Sequence, residues 1–413
     1  MTKPHRLWLG CCLLCAAAVG VDAVQRMASA VAALQTAQAL IVQTNIPAQP
    51  AGVPVITLQA GGKIPMPANT PAAHASSLVV MPQGGAAQML AFWFAGDRES
   101  APNVQIAFSW FDRATQAWVP ARFVVNRAAL GQQLGYGVRR LGNPVAWLDA
   151  DGKVHLFVVA TGLGGWAAGR IVHLRQDSDA AANSAQALAA LSFSPVRMLP
   201  LSWLWNTSHL VRTAPMPLAD GGMVLPAYFE LGLKYPVALR FGPQGQWLGM
   251  VRMSTRTDIL QPAIVPITAT QWVGWMRDHG AQRKVAAVRT DDAGATWHDM
   301  PSLPIDNTGS SVAAVRLPAG QFLMAHNKSM VTRRDMDLSA STDGSTWRSV
   351  IVVENGAKES DEFSYPALAW DGQSLWLSYT HMRREIAWQR YSVLPQASNS
   401  TNSSNLPASG AKP

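Results

Sequence analysis

Short apolar runs alternate with tight turns along most of the chain. Six times, an apolar run leads into a turn containing Gly or Asp, and a second apolar run with aromatic residues follows. The six copies begin near Ser76, Pro144, Thr213, Pro262, Ser311 and Pro366. Copies that recur at roughly 50 to 70 residues are typical of propellers, in which each copy forms one blade. A β-sandwich also contains alternating strands but would not produce six matched hairpins, so the pattern predicts an all-β, six-bladed β-propeller.

The two ends of the chain lack this pattern. Residues 1–23 have a basic start followed by LWLGCCLLCAAAVGV, which is typical of a signal peptide or, if uncleaved, of an N-terminal membrane anchor. Residues 24–70 are rich in Ala, Gln and Pro and are predicted to form a linker or a strap along the domain. The propeller is expected over residues 71–395, and the Ser- and Asn-rich stretch 396–413 is expected to be disordered. We therefore expect an exported protein, periplasmic or secreted, with anchoring to the inner membrane as the alternative.

Composition and charge narrow the class of partner. The chain is 48% hydrophobic and 14% charged, which indicates an ordered protein with a large core. Its three cysteines (Cys11, Cys12 and Cys15) all lie in the N-terminal apolar segment, so the rest of the chain has no disulfide framework or thiolate metal site. No metal-ligand spacing or phosphate-binding loop is present, and we expect neither metal nor cofactor. The net charge of +8 favours an acidic glycan, whereas the scattered basic residues argue against nucleic acid; we expect a monomer.

The propeller topology predicts where polar side chains converge. In a four-stranded blade, the residues just before the first strand and just after the second strand meet at one mouth of the central channel. The strand starts supply His74, Asn143, Arg212, Gln261, Asn307 and Tyr365, and the strand ends supply Arg98, Glu99, Glu230, Arg277, Asp278, Asn327 and Arg383. A binding or catalytic pocket is therefore expected to draw on this set.

A turn motif defines the architecture more narrowly. Residues 290–297 read T-D-D-A-G-A-T-W, an aspartate box in which Asp292 accepts backbone N–H bonds, Gly294 takes a conformation closed to other residues, and Trp297 packs between blades. A second copy at residues 341–347 is one residue shorter, and a third near residues 109–118 keeps only its Asp and Trp. Such boxes lie on the face away from the pocket, so they indicate the fold and not the activity.

Through these boxes and repeats, the chain resembles the bacterial sialidase-like family (BNR-repeat, predicted neuraminidase) over about residues 71–393. The resemblance implies a propeller of the sialidase type and a retaining exo-glycosidase with a tyrosine nucleophile. It assigns that nucleophile to Tyr365, in EFSYPALAW at the start of the last blade. It assigns binding of the substrate's carboxylate to Arg277 and Arg333, with Arg334 as the alternative to Arg333.

Three positions depart from the family pattern. His74 replaces the first arginine of the sialidase triad and supplies neither a fixed charge nor a bidentate fork. Gln261 stands where the glutamate that activates the tyrosine is expected. Asn103 stands where the general-acid aspartate is expected, and an amide cannot deliver a proton. All three are expected to contact substrate in place of the family's residues.

Other side chains near the mouth are candidates for the missing proton transfer. Glu99 and Glu230 are the first candidates, and Asp97 and Glu362 are also expected within reach of the mouth. Arg98, beside Glu99, is a further candidate for substrate binding.

Each assignment has a structural alternative. Tyr365 begins an apolar strand and fits an inward core tyrosine, and Arg277 fits a surface ion pair with Asp278. Trp203 and Trp205 fit either stacking on a sugar or packing between blades. For the whole protein the two hypotheses are a sialidase-like exo-glycosidase acting on an acidic sugar of an exported or envelope glycan, and a catalytically inactive propeller that binds glycan or assists polysaccharide assembly at the envelope.

Overall fold

The computed structural model describes residues 3–27, 38–40, 52–202 and 204–394. Trp203 and the predicted disordered tail 396–413 lie outside these residues. Within them, an N-terminal helix α1 (Lys3–Met27) precedes six antiparallel sheets. Strand β1 (Val55–Lys63) comes before the first complete blade in sequence.

The blades follow one another along the chain. Blade 1 holds β2 (Ala72–Val80), β3 (Ala87–Gly96), β4 (Gln105–Asp112), β5 (Ala117–Trp118) and β6 (Arg122–Val125). After helix α2 (Arg127–Leu134), blade 2 holds β7 (Arg140–Leu148), β8 (Val154–Thr161), β9 (Gly169–Gln176) and, after α3 (Ala185–Ala189), β10 (Phe193–Met198). Blade 3 holds β11 (His209–Val211), β12 (Met216–Pro217), β13 (Met223–Leu231), β14 (Leu233–Phe241) and β15 (Trp247–Arg252).

The second half repeats the arrangement. Blade 4 holds β16 (Ile259–Pro266), β17 (Trp272–Asp278), β18 (Ala286–Thr290) and β19 (His298–Met300). Blade 5 holds β20 (Ala313–Arg316), β21 (Phe322–His326), β22 (Asp335–Ser341) and β23 (Arg348–Asn355). Blade 6 holds β24 (Phe363–Trp370), β25 (Ser374–His381) and β26 (Glu385–Leu394). We call the end of the ring where the innermost strands begin the mouth face. The six-bladed propeller predicted from the hairpins is confirmed.

Blade 6 combines a strand from the early part of the described chain with strands from its end. Strand β1 pairs antiparallel with β26, with Val55 opposite Leu394 and Lys63 opposite Ala387. The assignment of residues 24–70 to a linker or strap was therefore wrong for residues 55–63. Most side chains of β1 are exposed, and its register shifts at a bulge, because it is an edge strand. An exposed, bulged edge strand carries no alternating apolar pattern by which to recognise it.

Hydrophobic clusters fill the spaces between neighbouring blades. Between blades 6 and 1, Phe111 and Trp118 meet Trp376 and Trp388, and the ring centroids of Phe111 and Trp376 are 4.9 Å apart. Burial of such large aromatic faces drives the blades together, since apolar area removed from water contributes about 25 cal/mol per Å². The core is thus distributed around the ring as layers between the blades.

All three aspartate boxes form their turns. In each box the aspartate accepts backbone N–H groups of the residues that follow it. The shortest of these bonds measures 2.8 Å at Asp292, 2.7 Å at Asp343 and 2.8 Å at Asp112. Trp347 donates its indole N–H to Gly344 O at 3.1 Å and packs against Trp275 of the preceding blade. The boxes connect third and fourth strands at the end opposite the mouth face, which agrees with a structural role.

The N-terminal segment contacts the ring at two described points. In α1, Asp22 accepts a hydrogen bond from the Ser202 hydroxyl. Ala39 forms a β-bridge with Leu218 of blade 3 and is buried. Of the helices in the described residues, none has the length and apolar character needed to cross a membrane.

Candidate active site

Bulges in four innermost strands shape the mouth. The pairing register shifts after His74 in blade 1, after Gly142 in blade 2, after Leu260 in blade 4 and after Ser364 in blade 6. In blades 1, 4 and 6 the first bulged residue lies in the left-handed region; these residues are Ala75, Gln261 and Tyr365, with φ of 59°, 58° and 56°. Residues other than glycine rarely adopt this backbone conformation. It costs about 1–3 kcal/mol, and it persists only where the surrounding structure holds the residue in it. Strained residues at equivalent positions around one channel are typical of a functional site.

Tyr365 lies at the centre of the mouth. Its ring centroid is 4.2 Å from that of His74, and the guanidinium carbons of Arg212 and Arg333 lie 5.0 and 5.9 Å from it. Gln261 donates its amide N–H to the Tyr365 hydroxyl at 3.4 Å. Side chains from blades 1, 3, 4 and 5 therefore surround the predicted nucleophile of blade 6, and two of them are cations.

The amide of Gln261 links two phenols. Its Nε2 donates to the Tyr228 hydroxyl at 3.2 Å as well as to Tyr365. Burial, together with Tyr365 and Glu230 nearby, raises the pKa of Tyr228 well above its usual value, so Tyr228 stays neutral. Sequence reasoning missed Tyr228, although it lies two residues before Glu230 on the same face of β13. An amide cannot take a proton from a phenol, so this group orients Tyr365 without serving as its base.

Arg212 joins the bulges of two blades from the centre of the ring. It is 2% exposed and donates to Ser76 O at 3.0 Å and to Pro366 O at 2.9 Å. Burial lowers the pKa of its guanidinium to about 10, against the opposing effect of Tyr365 and Tyr228, so it remains charged at neutral pH. Its position fixes the backbone on which Tyr365 is mounted.

A chain of ion pairs borders the mouth across blades 1, 6 and 5. Glu362 accepts from Arg383 Nε at 2.6 Å and from Arg333 at 3.1 Å, and Arg383 also pairs with Glu99. Burial alone would raise the pKa of Glu362, but the bonds and charge of Arg383, with Ser364 and Arg333, lower it to about 2. Glu362 is therefore ionised at neutral pH, and its charge partly neutralises that of Arg333.

Arg277 approaches the same glycine as Arg333 from the neighbouring blade. Arg333 donates to Gly309 O at 3.1 Å, and a Cβ on Gly309 would lie 3.8 Å from Arg277 Nε. Asp278 lies 3.4 Å from Arg256, and the expected alternative pair of Arg277 with Asp278 does not appear among the described ion pairs. Arg277 Nε is buried without a hydrogen-bond partner in the described part of the chain. Arg277 and Arg333 therefore both reach the backbone at Gly309 from neighbouring blades.

The candidate proton-transfer groups differ in their surroundings. Glu99 is ion-paired with Arg383, so proton donation from it would cost that pair. Burial raises the pKa of Glu230, at the mouth end of β13, although Arg277 and Lys234 oppose the effect. The surroundings of Glu230 thus favour its protonated form more than water around an exposed glutamate would.

Residues 87–381 match the family described as the BNR repeat-like domain, which is more than half of the chain. The chain belongs to the BNR repeat-like domain family. Curated protein sequences give no match to it. The resemblance stated from the aspartate boxes is thereby confirmed at the level of the family.

Solved structures place this BNR repeat-like protein among the sialidases in fold. A Hadza microbial sialidase is similar with a TM-score of 0.62 and 18% identity, over 77% of this chain but 65% of that one, which is less than two thirds of its length. Trypanosoma rangeli sialidase in complex with sialic acid has a TM-score of 0.58 and 12% identity, over 82% and 58% of the two chains. A Dyadobacter fermentans protein of unknown function has a TM-score of 0.61 and 12% identity, over 82% and 99%. Identities this low show a shared fold alone.

In this BNR repeat-like protein, some of the side chains predicted to line the mouth instead form hydrogen bonds with main-chain groups. Asn143, Asn307 and Asn327 are buried and bond to main-chain groups, Asn143 to Val211 O at 3.0 Å. Asn103 is exposed and accepts from Asp97 N at 3.3 Å, which closes the loop after β3.

The remaining candidates lie around the opening. Arg98, exposed on the loop after β3, lines a small cavity with His74, Glu99 and Arg383. Burial, followed by the charge of Arg383, lowers the pKa of His74 well below its usual value, so His74 adds no positive charge. Within the described residues, no group of three or more His, Cys, Asp or Glu side chains is arranged to hold a metal ion.

Proposed function

We propose that this protein is a retaining, sialidase-like exo-glycosidase that removes an acidic sugar from an exported or envelope glycan. The observation that carries the proposal is Tyr365, held in a left-handed bulge at the mouth between two arginines. A neutral phenol suits an acidic sugar, since a carboxylate nucleophile would repel the sugar's own carboxylate.

Arg277 and Arg333 would hold the carboxylate of the sugar. They approach Gly309 from two blades, and the buried Nε of Arg277 has no hydrogen-bond partner among the described residues. Two guanidinium groups on one anion provide directed, charge-assisted hydrogen bonds. His74, neutral and packed against Tyr365, would contribute shape and one hydrogen bond.

The reaction would proceed in two displacements. The Tyr365 oxygen bonds to the anomeric carbon as the bond from that carbon to the leaving oxygen breaks. Glu230 gives its proton to the leaving oxygen, and the phenol proton passes to solvent water. Water then attacks the anomeric carbon and gives a proton to Glu230, and the Tyr365 oxygen leaves and takes a proton from solvent. Two inversions at one carbon give retention.

Release of a fluorescent aglycone from a panel of sialosides and uronides tests the proposal. Wild type should release it from at least one donor, and Tyr365→Phe should not. Tyr391→Phe, a matched control on the outer part of blade 6, should behave as wild type. Glu230→Gln should lose about 100-fold or more with a sugar leaving group but little with an acidic phenol, which leaves without protonation. Activity in Tyr365→Phe equal to wild type would refute the role of the tyrosine.

The second candidate function is a catalytically inactive propeller that binds glycan or assists polysaccharide assembly. Asn103 in place of the acid and Glu362 bound to Arg333 favour it. Wild type that is inactive on every donor, yet binds acidic glycans on an array, would support this second function over the first.

A further inference from the structure

Two aromatic side chains on the mouth face of blade 2 each pack closely against the backbone of a glycine. Trp166 lies in a 3₁₀ turn (Gly165–Ala168), and a Cβ on Gly142 would overlap its ring. Tyr136 lies two residues after the end of α2, and a Cβ on Gly162 would overlap its hydroxyl. Both glycines serve to make room for an aromatic ring against the backbone.

The turn that carries Trp166 is held in place by the next connection of the chain. The hydroxyl of Thr207 donates to Ala167 O at 3.1 Å, and that of Ser208 donates to the same oxygen. Trp166 itself is half-buried, so one part of its ring faces solvent. A ring that is fixed in orientation yet accessible loses little entropy when a ligand packs on it.

Two grooves flank this turn. Trp166 lines a groove of about 540 Å³ with the loop after β3 and with the ion-paired Arg383; the other lining residues are Ala72, Arg98, Glu99 and Ser100. Leu163 and Ala168, on either side of Trp166, line a second groove of about 420 Å³ with Tyr136, Arg139 and Arg170. Volumes of this size are typical of sites for small ligands. The first groove shares Arg98, Glu99 and Arg383 with the cavity beside His74, so it continues from the candidate active site.

Each groove combines one aromatic ring with arginine. Arg98 is exposed in the first groove and Arg139 in the second, whereas Arg170 is fixed 4.6 Å over the Tyr136 ring. Aromatic rings pack on the apolar faces of sugars, and arginine binds carboxylates bidentately. The same pair of groups in two successive grooves fits a ligand that repeats the same chemistry.

We propose that this face of blade 2 is a binding platform for a chain-like acidic polysaccharide, with one acidic sugar against Trp166 and Arg98 and the next against Tyr136 and Arg139. The platform extends the proposed function: it rests on that function for the position of the terminal sugar at Tyr365, but its binding is separate from catalysis. The substrate class is then a polymer of acidic sugars and not a single acidic sugar on an unrelated carrier.

Binding of size-graded oligomers to the full chain tests this platform. The probes are one, three and six units of α2,8-linked sialic acid, polyglucuronate and polygalacturonate, made with sulfur-linked glycosidic bonds that the proposed hydrolase does not cleave, and binding is measured by titration calorimetry. For at least one series, wild-type affinity should rise about tenfold or more from one unit to three. Trp166→Ala should abolish that gain and leave the affinity for one unit unchanged. Trp370→Ala, a matched control at the opposite end of the channel, should keep the gain.

Gly142→Ala provides a second variant, because it keeps Trp166 but displaces its ring, and it should lose the same gain. A length-dependent gain that persists in both variants would overturn the platform, as would the absence of any gain with all three series. The proposed hydrolase fails separately: Tyr365→Phe should keep the full gain, and a wild type with a Trp166-dependent gain but no hydrolysis would retain the platform and lose the catalytic proposal.

Discussion

Replacing Glu362 by Gln should destabilise the protein in a pH-dependent way. The carboxylate accepts from Arg383 at 2.6 Å, Ser364 at 2.8 Å and Arg333 at 3.1 Å, and its side chain is 21% exposed. A glutamine keeps the shape but removes the charge that two guanidinium groups face. Those cations would then be left half-buried without their shared anion.

The magnitude follows from linkage between protonation and folding. The pKa of Glu362 falls from 4.5 to about 2 in the folded chain, which corresponds to about 3 kcal/mol of stability at pH 7. Because the folded-state pKa is the lower one, this stabilisation is complete above about pH 4.5 and is lost as the pH falls toward 2. By about pH 3 it should have fallen to less than half.

Urea unfolding of wild type and Glu362→Gln at pH 7 and at pH 3 measures both quantities. The difference in unfolding free energy should be about 3 kcal/mol at pH 7 and clearly smaller at pH 3. Glu359→Gln, an exposed neighbour, is the matched control and should change stability by less than about 0.5 kcal/mol. A loss below about 1 kcal/mol at pH 7, or an equal loss at both pH values, would refute the reasoning.

Two further substitutions test the hydrogen bonds that support the propeller. Arg212→Met should leave the carbonyl oxygens of Ser76 and Pro366 without their donor, and the loss of each bond should lower the unfolding free energy by about 1–3 kcal/mol. Unchanged thermal stability would contradict the conclusion that Arg212 connects the bulges of two blades. Asp343→Ala should remove the acceptor of the second aspartate box and lower unfolding free energy by about 2 kcal/mol, measured by urea titration. Asp291→Ala, exposed in the first box, is its control and should have little effect.

Much of the fold was predictable because each blade is a local unit. A hairpin with one buried face is readable from neighbouring residues, and the box turns depend on side chains within a few positions of one another. Strand β1 was not predictable in this way, since its partner β26 lies at the other end of the chain and its side chains are mostly exposed. Only pairing, not composition, marks it as a strand.

In the candidate site, too, the features set by position within one blade were predictable, and the contacts between side chains of different blades were not. Tyr365, Gln261 and His74 were placed at the mouth by their positions at strand starts, and the structure brings them into contact. The pairing of Glu362 with Arg333 and Arg383 joins loops of two blades and depends on side-chain geometry that no spacing encodes. For the same reason, sequence reasoning ranked Glu99 and Glu230 together, and their different partners separate them.

The pairing of β1 with β26 also affects how the chain can mature. The last blade cannot be completed until residue 394 has left the ribosome, so the ring stays open through most of synthesis, and its closing contact spans nearly the whole described sequence. Val55 and Leu394 lie side by side, so a short linker between them would allow new termini in an exposed turn of another blade. Such a circular permutant would turn the closing blade into an ordinary local hairpin, and its refolding rate relative to the natural order would show how much of the folding time is spent on closure.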